Sequence, residues 1–208
     1  MIDIKSEVKL AFTQNKIAIL TSTAIFFVSL ILGFLLTSSL NSIFDPIVQD
    51  LTNKVETGVV QLTFQDIFLN NIRIVFRMFC TGLIFCLSAV ILSFNGFFVG
   101  YFMGRYDDLF RVLLLTVPHG IFEFPSCILA TAAGFVLFVY VCKVFKSLIT
   151  QKDVSLTDRI YNSFIDNIDK IKQALILFVI SMILMVIAGI IEVYVTIPFS
   201  KFVLSIFG

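Results

Sequence analysis

From Ile17 to Leu36 the chain runs for 20 residues without a charge, directly after a polar start that ends at Lys16. At 1.5 Å per residue such a run makes a helix ~30 Å long, which matches the hydrocarbon thickness of a bilayer. A secretory signal has a shorter apolar core followed by a small-residue cleavage site, and no A-x-A site follows here. The segment reads as an uncleaved first membrane span. Three more long apolar stretches succeed it, at residues 72–94, 109–144 and 173–198. Composition agrees: of 208 residues 59% are apolar, 25 are Phe and only 14% are charged, too few charges to cover a soluble domain. A net charge of +1 gives no case for nucleic acid. The expected fold class is all-α, a polytopic transmembrane helical bundle of about five membrane-inserted segments, with the lipid bilayer as its principal partner.

Charge placement gives an expected topology. Residues 1–16 carry Lys5, Lys9 and Lys16, whereas the polar loop 37–71 has Lys54 against Asp45, Asp50, Glu56 and Asp66. The Gly-rich connection 95–111 carries Arg105 and Arg111, and the linker 145–172 is again rich in Lys and Arg. The positive-inside rule puts tail, connection and linker in the cytoplasm and the loop 37–71 outside. The stretch 109–144 must then begin and end on one side, yet it is too short for two spans of ~20 residues each. A re-entrant hairpin turning at Pro118-His119-Gly120 to Phe124-Pro125 resolves the conflict; the alternative is one long kinked span. Asp45-Pro46 reads as a helix N-cap with Pro at the first helical position, and Thr63-x-x-Asp66 as a capping box. Leu156, Ile160, Phe164, Ile168, Ile171 and Leu175 recur at helical spacing, so the linker should be amphipathic. It can lie on the membrane surface or dock a cytosolic partner.

Few polar residues lie within the apolar stretches. His119 and Glu123, four residues apart, share a face if the chain is helical after Pro118. Ionisable groups at that depth must pair, face a cavity or meet a partner. They either hold a proton, an ion or a headgroup, or tie helices together; two ligands are too few for a metal site. Asn95 suits helix capping or an interhelical hydrogen bond, and Glu192 falls close to the outer interface. Gly96, Gly100 and Gly104 form a smooth stripe on a helix, and Ala130 with Gly134 repeats the spacing. Such stripes pack within a subunit or form a homodimer contact. Cys80, Cys86, Cys127 and Cys142 lie in apolar runs with no CxxC spacing, which points to buried structural thiols. No hydrolase, nucleotide or metalloprotease motif occurs, so neither catalysis nor a cofactor is expected.

The order Asn70-Asn71, Asn95-Gly96 with Gly100, Pro118-His119-Gly120 with Glu123, Ala133-Gly134, and Gly189 with Glu192, Thr196 and Pro198 resembles the stage II sporulation protein M family. The likeness runs from about residue 60 to 200, and the HGxxE element with its upstream NG is the most specific part. The family's namesake in sporulating bacteria is a membrane scaffold that recruits the peptidoglycan-remodelling stage II proteins D and P during engulfment. The resemblance implies a non-enzymatic membrane scaffold or assembly protein, multi-pass in the cell membrane with its N-terminus cytoplasmic, working with membrane or cell-envelope proteins. It also implies that His119, Glu123, Asn95 and Glu192 belong to whatever the family shares. The alternative function is transport, as a permease subunit with His119 and Glu123 lining a polar path.

Overall fold

The structure is a computed structural model and describes residues 3–57, 64–150 and 155–207. Nine α-helices occur among them. Helix α1 (Ile4–Gln14) starts at Asp3, whose carboxylate accepts from the Lys5 amide at 3.1 Å. Asn15 separates it from α2 (Lys16–Leu35), and α3 (Thr37–Glu56) follows after Leu36. Helix α4 (Phe64–Cys80) leads through a 3-10 turn (Thr81–Leu83) into α5 (Phe85–Arg105). Helix α6 (Leu109–Thr150) is 42 residues long. Ser155 caps α7 (Leu156–Ile165) by accepting from the Asp158 amide. Helix α8 (Ile168–Ile191) continues through a π turn (Glu192–Thr196) into α9 (Ile197–Phe207).

The all-α polytopic class is what these elements make. Four helical stretches are long and apolar enough to cross a membrane: α2, α5, α6, and α8 with its extensions. Their outward faces keep large apolar side chains uncovered, among them Phe27, Val28 and Ile31 on α2 and Val179 and Ile183 on α8. Those side chains face hydrocarbon rather than water, so burial cannot drive the helices together; close packing must. Small residues supply it. Ala130, Ala132, Ala133 and Gly134 of α6 are buried, as are Ala188 and Gly189 of α8.

Helices α2 and α5 run parallel. A methyl on Gly96 would lie 2.7 Å from the Phe26 carbonyl oxygen, one on Gly100 would overlap the Leu30 carbonyl, and one on Gly104 would overlap the Thr37 hydroxyl. Gly33 of α2 answers with its own face against the backbone of Phe97. The glycine stripe expected to serve either a subunit interior or a homodimer is thus filled by α2 of the same chain. The same holds for Gly134, which lies against Gly82 and the Met78 carbonyl.

Two expectations about continuity are corrected together. The re-entrant hairpin in 109–144 does not form: α6 passes unbroken through Pro118 and Pro125. Each proline removes one helical hydrogen bond, freeing the carbonyls of Leu114 and Ile121. Ending a helix at membrane depth would strand several such groups, so two isolated gaps cost less than a turn. The break falls instead within 72–94, which reads as a single span. There α4 stops at Cys80 and Ile84 turns to an extended conformation.

Parallel α2 and α5 also correct the topology. The connection after Arg105 lies at the end of the bundle opposite Lys16, not beside it. The N-terminal segment and the linker do share an end: Asn15 and Gln14 hydrogen-bond to Gln173, and Lys170 donates to Asn15 and Gln173 at 3.0 and 2.8 Å. Charge counting misled because Arg105 is neutralised locally, by an ion pair with Asp45 and a 3.3 Å hydrogen bond to the Tyr101 hydroxyl. Asp45 is accordingly no N-cap, and Pro46 sits inside α3. The helix expected from Pro46 in the 37–71 segment is the 20-residue α3, which begins earlier, at Thr37. Thr63 of the expected capping box lies outside the described residues. The amphipathic linker is two helices, parted at Asp166-Asn167.

Candidate functional site

The helical path after Pro118 puts His119 and Glu123 on one face, with Nε2 to Oε2 at 3.6 Å. Their side chains keep only 14% and 19% of their surface exposed. That face meets the far end of α8, which runs antiparallel to α6. His119 Nδ1 lies 3.5 Å from the Thr196 hydroxyl, the last residue of the π turn. Glu192, the first, comes near enough for its carboxylate to interact electrostatically with that of Glu123. The structure thus gathers three of the four expected residues, His119, Glu123 and Glu192, at one helix–helix contact. Asn95 is half-buried on α5 and makes no hydrogen bond to them.

A π turn widens the helix by one residue per turn and re-aims the side chains that follow. Here it faces the proline-bounded segment of α6, so two departures from regular helix lie against each other. Tight packing holds the surroundings. A methyl on Gly120 would come within 2.9 Å of the Phe124 ring, and that ring lies 5.0 Å from Phe26 of α2.

Thr196, which stands in the family order of polar residues but not among the expected site residues, belongs to the cluster. One turn beyond Glu123, Ser126 and Ser181 form a reciprocal bridge: each hydroxyl lies 2.7 Å from the other's carbonyl oxygen, and the two hydroxyls are 3.1 Å apart. Neither serine carries a signal in the sequence beyond being polar in an apolar run. A second polar group gathers at the far end, where the Tyr101 hydroxyl donates to Asp45 and, at 3.2 Å, to Asn41.

Chemically, an imidazole and two carboxylates between helices can share a proton or bind a cation, or simply lock the contact. Among the described residues no three His, Cys, Asp or Glu side chains converge as metal ligands. Two of the surface grooves among the described residues lie near these helices. One, of about 510 Å³, is apolar and lies between α1, α2 and α6, lined by Phe12, Thr23 and Phe27 and by Gly120, Phe124 and Pro125, which flank His119 and Glu123. The other lies by Lys143, Lys146 and Asn167. Neither is lined by His119, Glu123, Glu192 or Asn95.

Comparison with known proteins finds a family match whose bounds include these residues. Residues 22–197 match the family described as stage II sporulation protein M. An uncharacterised protein of Methanocaldococcus jannaschii is 34% identical over 195 residues, covering 91% of this chain and 99% of its own length. A second from the same archaeon is 27% identical over 201 residues, covering 92% of this chain and 87% of its own. No solved structure matches.

Proposed function

This chain belongs to the stage II sporulation protein M family, and from that premise we propose that it is a non-enzymatic scaffold or assembly protein of the cell membrane. The observation that carries the reading is how its intramembrane polar groups are used. His119 meets Glu123 and Thr196 across a packed contact, and Ser126 and Ser181 satisfy each other. A transporter needs a wet route to such groups; a scaffold needs them paired and its helices fixed.

The N-terminal end of the bundle supplies a surface for partners. Helix α6 is ~63 Å long, about twice the hydrocarbon thickness, so its last turns and α7 extend from that end. Phe145, Ile149, Leu156, Ile160, Tyr161 and Phe164 are exposed there, beside Lys143, Lys146 and Arg159. Exposed apolar side chains with lysines beside them suit a membrane or cell-envelope protein that offers apolar and acidic groups. Gathering Lys16, Lys143, Lys146, Lys170 and Lys172 at this end supports a cytoplasmic N-terminus.

The test is thiol labelling in intact membranes of His119→Cys, made in a chain whose four native cysteines are replaced. A scaffold leaves position 119 silent toward a small aqueous reagent, while Cys at Thr150 labels from the cytoplasmic side alone. Reaction at position 119 would establish a water path and turn the assignment to transport.

A further inference from the structure

The outward face of α4 sets cations among uncovered apolar side chains. Gln65, Asp66, Leu69, Asn70, Arg73, Phe76 and Arg77 are exposed along it, and Val75 and Met78 on the opposite face are fully buried against the core. Among the described residues neither the Arg73 nor the Arg77 guanidinium has a hydrogen-bond or ion-pair partner. The usual local use of arginine near a helix C-terminus is to cap the last carbonyls. Other donors take up two of those carbonyls here. The Thr81 hydroxyl donates to the Arg77 carbonyl at 2.7 Å, and the Ser88 hydroxyl to the Met78 carbonyl at 2.6 Å.

Position in the bundle then says what such a pair meets. Because α5 runs parallel to α2, its first turn and the turn before it lie at the same end as Lys16. Arg77 sits within one helical turn of that end of α4 and Arg73 ~10 Å from it. Both are within snorkelling reach of the interface. Phe76 between them is 55% exposed, and Leu83 and Ile84 at the turn are 52% and 64% exposed. Two unpaired cations set among uncovered apolar side chains, just inside one interface, match a lipid molecule in both its parts. We propose that Arg73 and Arg77 form a binding site for the phosphate of an anionic lipid in the leaflet at the N-terminal end, with its chain against Phe76, Leu83 and Ile84.

The experiment is native mass spectrometry of the full chain released from nanodiscs containing equal phosphatidylglycerol and phosphatidylcholine. Wild type retains phosphatidylglycerol preferentially. Each arginine near an anionic headgroup is worth about fivefold, so the Arg73→Gln/Arg77→Gln double variant lowers that preference about 25-fold. Lys143→Gln/Lys146→Gln, which removes two cations from the same end but outside the Arg73–Arg77 face, lowers it far less than the double arginine variant. Arg73→Lys/Arg77→Lys keeps most of it, and does so independently of how well the Gln variant folds. No preference in wild type, or one equally lost with Lys143 and Lys146, overturns the site. So does disulfide trapping of a dimer through Phe76→Cys, because a second copy would then cover this face.

Discussion

The stretches 72–94 and 109–144 invert what their sequences announce. The second contains two prolines and a glycine within eight residues, yet forms one unbroken helix. The first has no proline at all, yet stops and restarts at Thr81–Ile84. The difference lies in what each backbone has beside it. At the break, Thr81 and Ser88 hydroxyls take up carbonyls that the ending helix would strand, and the Ile84 amide returns to the Thr81 carbonyl at 2.9 Å. Gly82 brings the turn into contact with Gly134. At the prolines the gaps are single and seven residues apart, so both fall on one side of α6. Within a membrane a helix ends where its loose ends are met, not where its propensity is lowest.

The largest test of that contrast is at the break. A side chain on Gly82 must displace the backbone of Gly134, so Gly82→Val should destabilise by about 3 kcal/mol, the upper end of overpacking. Thermal unfolding in detergent would read it, and near-normal stability would mean the turn is not pinned by α6. Gly100→Ala probes the parallel seam, where the new methyl meets the Leu30 carbonyl; about 2 kcal/mol is expected from the same assay. The Ser126–Ser181 bridge should matter less. A double-mutant cycle to alanine should give a coupling of about 0.6 kcal/mol, the average for hydrogen bonds between membrane helices. Smallest of all should be Pro125→Ala. It restores one hydrogen bond to an already continuous helix, so the shift should stay under about 0.5 kcal/mol, far below the ~3 kcal/mol that proline costs in a soluble helix. A large loss on this substitution would show that the proline shapes the contact with α8, and would undo the contrast.

Membrane class, the run of apolar helices and the pairing of His119 with Glu123 were legible because each is local. A 20-residue uncharged run and an i, i+4 spacing state their geometry directly. Thr196 and the Ser126–Ser181 bridge were not legible, because they join helices separated by more than fifty residues. Glu192 reads from distance along its helix as an interfacial residue; only the antiparallel approach of α8 brings it to Glu123. The topology failed at the 95–111 connection, where Arg111 stands beside Asp107 and Asp108. Arg105 counts toward the positive-inside rule as a free cation, whereas Asp45, far away in sequence, cancels it. The proline hairpin was then a consequence of that count rather than an independent misreading.

The parallel pairing of α2 with α5 has a consequence in time. A chain made from its N-terminus delivers α2 to the bilayer first, with the groove around Gly33 cut to receive a helix not yet synthesised. Helices α3 and α4 must emerge, and the chain must cross back, before α5 can arrive alongside in the same direction. Until then the earliest span waits half-solvated by lipid, and a nascent chain stalled before Arg105 holds a surface that nothing of its own can close.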